Sequence, residues 1–245
     1  MEVGATYQYT KSNIDGTHPI TVYIHLSSVE KIEALKIYEG SLSGAYVWAE
    51  MDWSLFSVER VKSNWIYHDA TMKPQASLRH EKDNTYTGEV YSQDSTGPLS
   101  RFTFNVEHFP WHIYNFDLTS FNISLKHLKE PEKTFKASIY DPSWGRDATT
   151  VEYKGEIRCD YKGDELRHSH RCRFYQVSGE GVGGTTGGLW VDIEGGHIVD
   201  IEVPCPNNPD WESFKLELCS ISHLNPVEWS RFISDTCRKK LRARE

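Results

Sequence analysis

Long apolar runs are missing from this chain. None approaches the roughly 18 residues that a membrane-spanning helix requires, so no membrane span is expected. A secretory signal is missing too: Met1-Glu2-Val3-Gly4-Ala5-Thr6-Tyr7 has no basic segment followed by an apolar one. As written, the sequence reads as cytoplasmic, or as periplasmic if an export signal has been removed. Cysteine is sparse. Cys159, Cys172, Cys205, Cys219 and Cys237 are odd in number and widely spaced, which argues for free thiols rather than a disulfide framework. Positive charge is in deficit, with 27 Lys and Arg against 35 Asp and Glu and a formal net charge of -8. Non-specific nucleic-acid binding needs the opposite balance, so no nucleic-acid partner is expected. The one basic cluster, residues 238–244, reads as a helix end whose cations complement the helix dipole. There is no Gly-x-Ser-x-Gly elbow and no supported Ser–His–Asp set, and no cofactor is expected.

Aromatic residues are plentiful, at 13% with eight Trp and thirteen Tyr. They favour strands and bury large areas. A hydrophobic content of 38% supports a packed core, and 245 residues suit one β-barrel-like domain spanning 1–245. The clearest local signal is at residues 187–203. Alternating apolar residues flank Glu194-Gly195-Gly196-His197, a pattern that predicts a β-hairpin. The same alternation predicts strands at 5–10, 19–27, 44–56, 57–68 and 100–108, and a hairpin at 76–92 around Lys82-Asp83-Asn84. It resumes at 134–140, 149–161, 166–178 and 212–220, whereas residues 28–38 fit neither period cleanly.

Two segments carry helical spacing. Leu118, Phe121, Leu125 and Leu128 predict an amphipathic helix with Asp117 as its N-cap and one apolar face on the sheet, ending before Pro131. Asn225, Pro226 and Glu228 at N-cap, N1 and N3 predict a C-terminal helix over about 225–242, with Trp229, Phe232 and Ile233 on one face.

From residue 115 to 204 the order of features is distinctive. A short helix carries Phe116-Asp117-Leu118-Thr119-Ser120, and after a Lys/Glu/Pro break a strand ends in Ile139-Tyr140-Asp141. A long hairpin follows around Gly155 and Lys162-Gly163-Asp164, then a glycine-rich bend. The closing hairpin pairs Leu189-Trp190-Val191-Asp192 with Gly196-His197-Ile198-Val199-Asp200-Ile201-Glu202. This part of the chain, under half of it, resembles the bacterial family called domain of unknown function 3108. It is similar in style to outer-membrane lipoprotein carriers, in which a strongly curved antiparallel sheet wraps an apolar groove. The resemblance implies a half-barrel with an interior for an apolar ligand. It implies no catalytic residues, because the family has no agreed set.

Several clusters merit a chemical reading. Residues 179–184 match Gly-x-Gly-x-x-Gly, but a strand follows where a dinucleotide site needs a helix, so they read as a β–β loop. His168-Ser169-His170-Arg171-Cys172 holds zinc-type ligands. A turn near Gly163-Asp164 would bring Cys159 to the same face. Three alternate residues of one strand, however, spread over about 13 Å, which is long for one ion. No metal is expected, and the two cysteines read as core, with a Cys159–Cys172 bridge as the alternative under oxidising conditions. His108-Phe109-Pro110-Trp111-His112 and the loop holding Asp141, Trp144 and Arg146 could supply acids, bases and stacking surfaces. Glu50, Asp52 and Glu59 lie among Trp48, Trp53 and Trp65. Alternation puts Trp48, Glu50 and Asp52 on one face and Met51, Trp53 and Leu55 on the other, which favours carboxylates turned to solvent.

The expected architecture is mainly β: a highly curved antiparallel sheet or open barrel with one mid-chain and one C-terminal helix. The expected function is a binding protein for an apolar or amphipathic small molecule on the concave face, lined by Trp48, Trp53, Trp65, Trp111, Trp144 and Trp190. A cofactor-independent isomerase or cyclase is the alternative, with Glu50, His108, His112 and Asp141 as its acids and bases. A protein-interaction scaffold is the third reading.

Overall fold

The computed structural model describes residues 2–94, 97–114, 116–142, 151–207 and 211–243. The first half of the chain is a run of antiparallel strands. These are β1 (Ala5–Ser12), β2 (Ile20–Leu26), β3 (Lys31–Ile37), β4 (Ser43–Asp52), β5 (Ser57–Tyr67), β6 (Met72–Lys82), β7 (Thr85–Val90) and β8 (Ser100–Asn105). A short strand β9 (Trp111–Ile113) then leads through helix α1 (Thr119–Leu125) to β10 (Phe135–Pro142). The second run is β11 (Val151–Arg167), β12 (His170–Ser178), β13 (Thr186–Asp192), β14 (Ile198–Val203) and β15 (Phe214–His223), followed by helix α2 (Pro226–Lys240).

Among the described residues all fifteen strands belong to one sheet, with β8 and β9 at its edges and β1 paired to β15 between the two runs. Strands spaced about 4.8 Å apart would spread such a sheet over roughly 70 Å if it were flat. Yet its edge strands are consecutive in the chain, joined only by residues 106–110. A link of that length reaches about 20 Å. The sheet must therefore curl until its edges approach one another. The Trp111 N–H, on edge strand β9, donates to Ser57 Oγ of β5 at 2.9 Å. The pair β9–β10 is parallel, as a crossover containing α1 requires.

The two faces are separated by alternation. Ile24, Ala34, Val47, Ala49, Leu189 and Ile201 pack inward in the main core with α1. Tyr23, Leu35, Ile37 and Ile66 face outward and are covered by Trp229, Ile233 and Cys237 of α2. Strand β3 thus has both faces buried, and that is why residues 28–38 show no clean period. Helix α2 starts as expected. The Asn225 side chain accepts from the backbone N–H of Val227 and Glu228, and Glu228 reaches back to the N–H of Asn225.

Two expectations are corrected. Helix α1 is not amphipathic: all seven of its residues are buried, because it lies inside the curl rather than upon it. Its N-cap position is Leu118, with no side-chain cap, and Asp117 is occupied elsewhere. The turn between β11 and β12 is at His168-Ser169, both at positive φ (47° and 70°), and not at Gly163-Asp164. Gly163, at φ 120°, instead absorbs a register shift within the long β11.

Candidate functional site

The interior is the first place to look for function, since the sheet wraps it. Its wall is supplied by alternate residues of nearly every strand and is largely aliphatic. The segment that enters it, residues 116–125, brings polar groups to this apolar space, and each is met by a specific partner. Asn122 accepts from the Ile198 N–H at 2.8 Å and donates through Nδ2 to the Tyr9 hydroxyl at 3.1 Å. Tyr9 in turn donates to the Ile198 carbonyl at 2.8 Å. Ser120 Oγ lies 3.1 Å from His112 Nδ1, Ser124 donates to the Ser120 carbonyl at 2.9 Å, and Thr119 to that of Phe116 at 2.6 Å.

The strongest anchor is Asp117. Its side chain is wholly buried, with Lys11 Nζ at 3.0 Å and Lys36 Nζ at 2.6 Å. Asn207 Nδ2 adds a hydrogen bond at 3.1 Å. Burial alone would raise the Asp117 pKa; the two ammonium groups outweigh it and hold the carboxyl at about 2. Lys11 comes from β1 and Lys36 from β3, each continuing an inward-facing row: Tyr7-Tyr9-Lys11 and Ile32-Ala34-Lys36. Lys11 Nζ also stands 4.2 Å above the Trp211 ring. Asp117 and Leu118 both take positive φ, 53° and 51°, a conformation that ordinary side chains adopt only when their surroundings impose it. Beside Phe121 a void of about 10 Å³ remains, lined by Tyr114, Ile157, Cys159, Val177 and Val203. It holds a single water at most.

The expected ligand-lining tryptophans are dispersed. Trp111 is fully buried, and its indole N–H donates to the Tyr86 hydroxyl at 3.2 Å. Trp53 packs against His127, ring centroids 4.2 Å apart and tilted by 36°, and donates to the Val29 carbonyl at 3.1 Å. Trp48 lies on the outer face, with Lys31 Nζ 5.1 Å from its ring, in a groove of about 440 Å³ shared with Arg60, Lys62, Arg79 and Arg101. Trp190 also faces outward. It is stacked on Phe174, covered by the Arg167 guanidinium at 4.0 Å, and bonded to Glu165. Trp65 is half-buried on β5, and Trp144 and Arg146 lie outside the described residues.

The candidate acids and bases are likewise spread over the fold. Glu50 is on the outer face in an ion pair with Arg60 at 3.5 Å. His108 is exposed and stacks on Tyr153 at 4.5 Å. His112 is buried in the interior, and burial pushes its pKa down to about 3. Asp141, on β10, is partly buried; burial raises its pKa, Lys154 opposes that and Glu152 adds to it. His112 and Asp141 are on neighbouring strands; Glu50 is on β4. The cysteines Cys159 and Cys172 are free and do not pair: Cys159 is opposite Val177, and Cys172 opposite Glu165. Sequence reading missed the Asp117 node. The signal was present as two lysines ending otherwise apolar inward rows, but alternation alone does not name their partner.

Comparison with known proteins adds the fold and little more. No family model matches the chain, the domain of unknown function 3108 included, and no curated protein matches it. Among solved structures, a β-barrel-like protein of domain of unknown function 1849 from Brucella abortus is similar over 91% of this chain and 99% of its own. Its TM-score is 0.52 and its sequence identity 7%. A domain described as outer membrane lipoprotein-sorting, from Vibrio parahaemolyticus, covers 96% of this chain and 91% of its own at 7% identity. Its TM-score is 0.24, and it carries no weight for this chain. The feature shared with the Brucella abortus protein is a curved, barrel-like sheet.

Proposed function

We propose that the chain is a non-catalytic binding protein for a long-chain amphiphile with an anionic head group, taken up on the concave face when the α1 segment moves out. The observation that carries this reading is the Asp117 carboxylate held between Lys11 and Lys36 against a wall of aliphatic and aromatic side chains. That is the arrangement an acidic head group and an apolar chain would meet, with part of the protein standing in for them.

Magnitudes constrain the occupant. Small-molecule sites run to about 300–1,000 Å³, and the void beside Phe121 is about 10 Å³, so α1 and a ligand cannot share the space. Removing α1 withdraws Leu118, Phe121, Ile123 and Leu125 from the core. At about 2 kcal/mol each this loses about 8 kcal/mol, which the burial of roughly ten methylenes would offset. Short or polar ligands do not reach that figure.

Native mass spectrometry of the purified protein, followed by organic extraction, tests the reading directly. The expected result is a discrete co-purified amphiphile, and uptake of a fluorescent sixteen-carbon carboxylic acid that weakens in the Lys11→Met, Lys36→Met double variant. A clean apo mass with no uptake of the fluorescent acid would overturn it. The interaction-scaffold reading would then stand, supported by the filled interior.

A further inference from the structure

One cluster of ligand-type side chains lies away from the interior node, where two hairpins end. His170 begins β12, Asp192 ends β13 and His197 immediately precedes β14. Each offers one ligand atom, and the three atoms lie within 4.8 Å of one another. We propose that His170, Asp192 and His197 form a binding site for a divalent transition-metal ion of the zinc class.

The geometry supports this at each residue. His170 Nδ1 and Asp192 Oδ2 are 3.3 Å apart, close to the roughly 3.3–3.4 Å edge of a tetrahedron around a zinc with bonds of about 2.0–2.1 Å. The other carboxylate oxygen, Oδ1, is already engaged. It accepts from the backbone N–H of Glu194 at 3.0 Å and of Gly195 at 2.5 Å, which fixes the orientation of Oδ2. His197 is folded back over the same turn: a Cβ on Gly195 would stand 2.4 Å from His197 Nδ1, so glycine at 195 is what lets the ring lie there. Tyr7 packs against that ring at 4.8 Å between centroids.

His197 decides between a metal site and an ordinary ion pair. Only 4% of it is exposed, yet neither ring nitrogen has a hydrogen-bond partner among the described residues. Buried polar groups are nearly always satisfied. A His170–Asp192 ion pair accounts for two of the three residues and leaves both nitrogens of the buried imidazole unsatisfied. A metal ion accounts for all three. The His170 side chain is about a third exposed, so one side of the site reaches solvent and the fourth ligand is water.

The neighbouring cluster of His168, Asp200 and Glu217 provides a contrast. There Arg167 already neutralises Asp200 and Glu202, each at 2.6 Å, and Lys215 pairs with Glu217 at 2.8 Å. In that ion-pair network two fixed cations, Arg167 and Lys215, already face the carboxylates. The sequence motif at 168–172 thus splits at its turn. His168 joins the network and His170 joins Asp192 and His197, an arrangement that strand alternation could not anticipate.

Titration of zinc ion into chelator-stripped full-length protein, followed by calorimetry and metal analysis, tests the proposal. The expected result is one ion per chain, an upward shift in melting temperature on loading, and at least tenfold weaker binding in both His170→Ala and His197→Ala. His168→Ala should bind as the unaltered protein does. His170, about a third exposed, keeps the test sound if the His197 variant folds poorly. Failure of the unaltered protein to bind zinc, or loss of binding in His168→Ala with His170→Ala unaffected, would overturn it.

Discussion

Lys36 Nζ stands 2.6 Å from Asp117 Oδ2, with both side chains removed from solvent and Lys11 closing on the other carboxylate oxygen at 3.0 Å. Replacing the carboxylate leaves two lysines without the charge they share. Breaking a buried ion pair in this way typically loses about 3–5 kcal/mol, whereas replacing all partners by apolar residues is often neutral. Asp117→Asn should therefore lower the urea midpoint strongly, and adding Lys11→Met and Lys36→Met should restore most of it. Equal midpoints for the single and triple variants would contradict a charge-based role. The acid limb follows from the same group. The folded carboxyl titrates at about 2 and an unfolded one near 3.9, so its contribution is complete above about pH 4 and is lost as pH falls toward 2.

His112 gives a second, earlier acid dependence. Burial depresses its pKa to about 3, while an unfolded histidine titrates near 6.5. Between those values the unfolded chain binds more protons than the folded one, so stability rises with pH across the window and is complete above about 6.5. The slope is at most about 1.4 kcal/mol per pH unit. Buried His197 and His25 are depressed in the same direction, so chemical unfolding at pH 4.5, 5.5 and 7 should show a summed slope that His112→Gln reduces by the His112 share. An unchanged slope in the variant would mean that other groups carry the acid sensitivity.

The cap of α2 is a local device and should behave as one. Asn225 accepts from the N–H of Glu228 and of Val227, both at 3.0 Å. Asn225→Ala should cost about 1 kcal/mol in thermal unfolding and leave amphiphile uptake unchanged, since α2 lies on the outer face. A coupled loss of uptake would show that α2 acts on the interior.

What was legible in the sequence follows the range of the interactions. The α2 start could be read because Asn225, Pro226 and Glu228 are neighbours that satisfy one another. The hairpin at 187–203 could be read because alternation and its glycine turn are local too, and the mainly β, curved architecture follows from many such segments. Three features could not be read. Asp117 looked like a helix cap because its partners, Lys11 and Lys36, are far away in sequence. Strand β3 lost its alternation because separate helices cover its two faces. The β11–β12 turn was misplaced because Gly163 offers the better turn chemistry, while His168 and Ser169 take positive φ without any glycine. The dispersal of the tryptophans has the same origin. Strand parity assigns each to a face, but only the direction of curl says which face is inside.

Asn122 joins stability to the proposed function. Its two hydrogen bonds tie α1 to β1 and β14 through Tyr9 and Ile198. Asn122→Leu keeps the branched heavy-atom shape but leaves the buried Ile198 N–H unsatisfied, at a cost of about 1–3 kcal/mol. If that cost falls on the docked state of α1, the undocked state becomes more populated. Apparent affinity scales with the competent fraction, so uptake of the sixteen-carbon acid should tighten by about tenfold for each 1.4 kcal/mol shifted. Hydrogen exchange at residues 119–125 should accelerate in parallel, with β13 and β14 remaining protected. Faster exchange confined to α1 with no gain in uptake would separate loosening of this segment from ligand entry, and would sink the displacement model while leaving the fold as described.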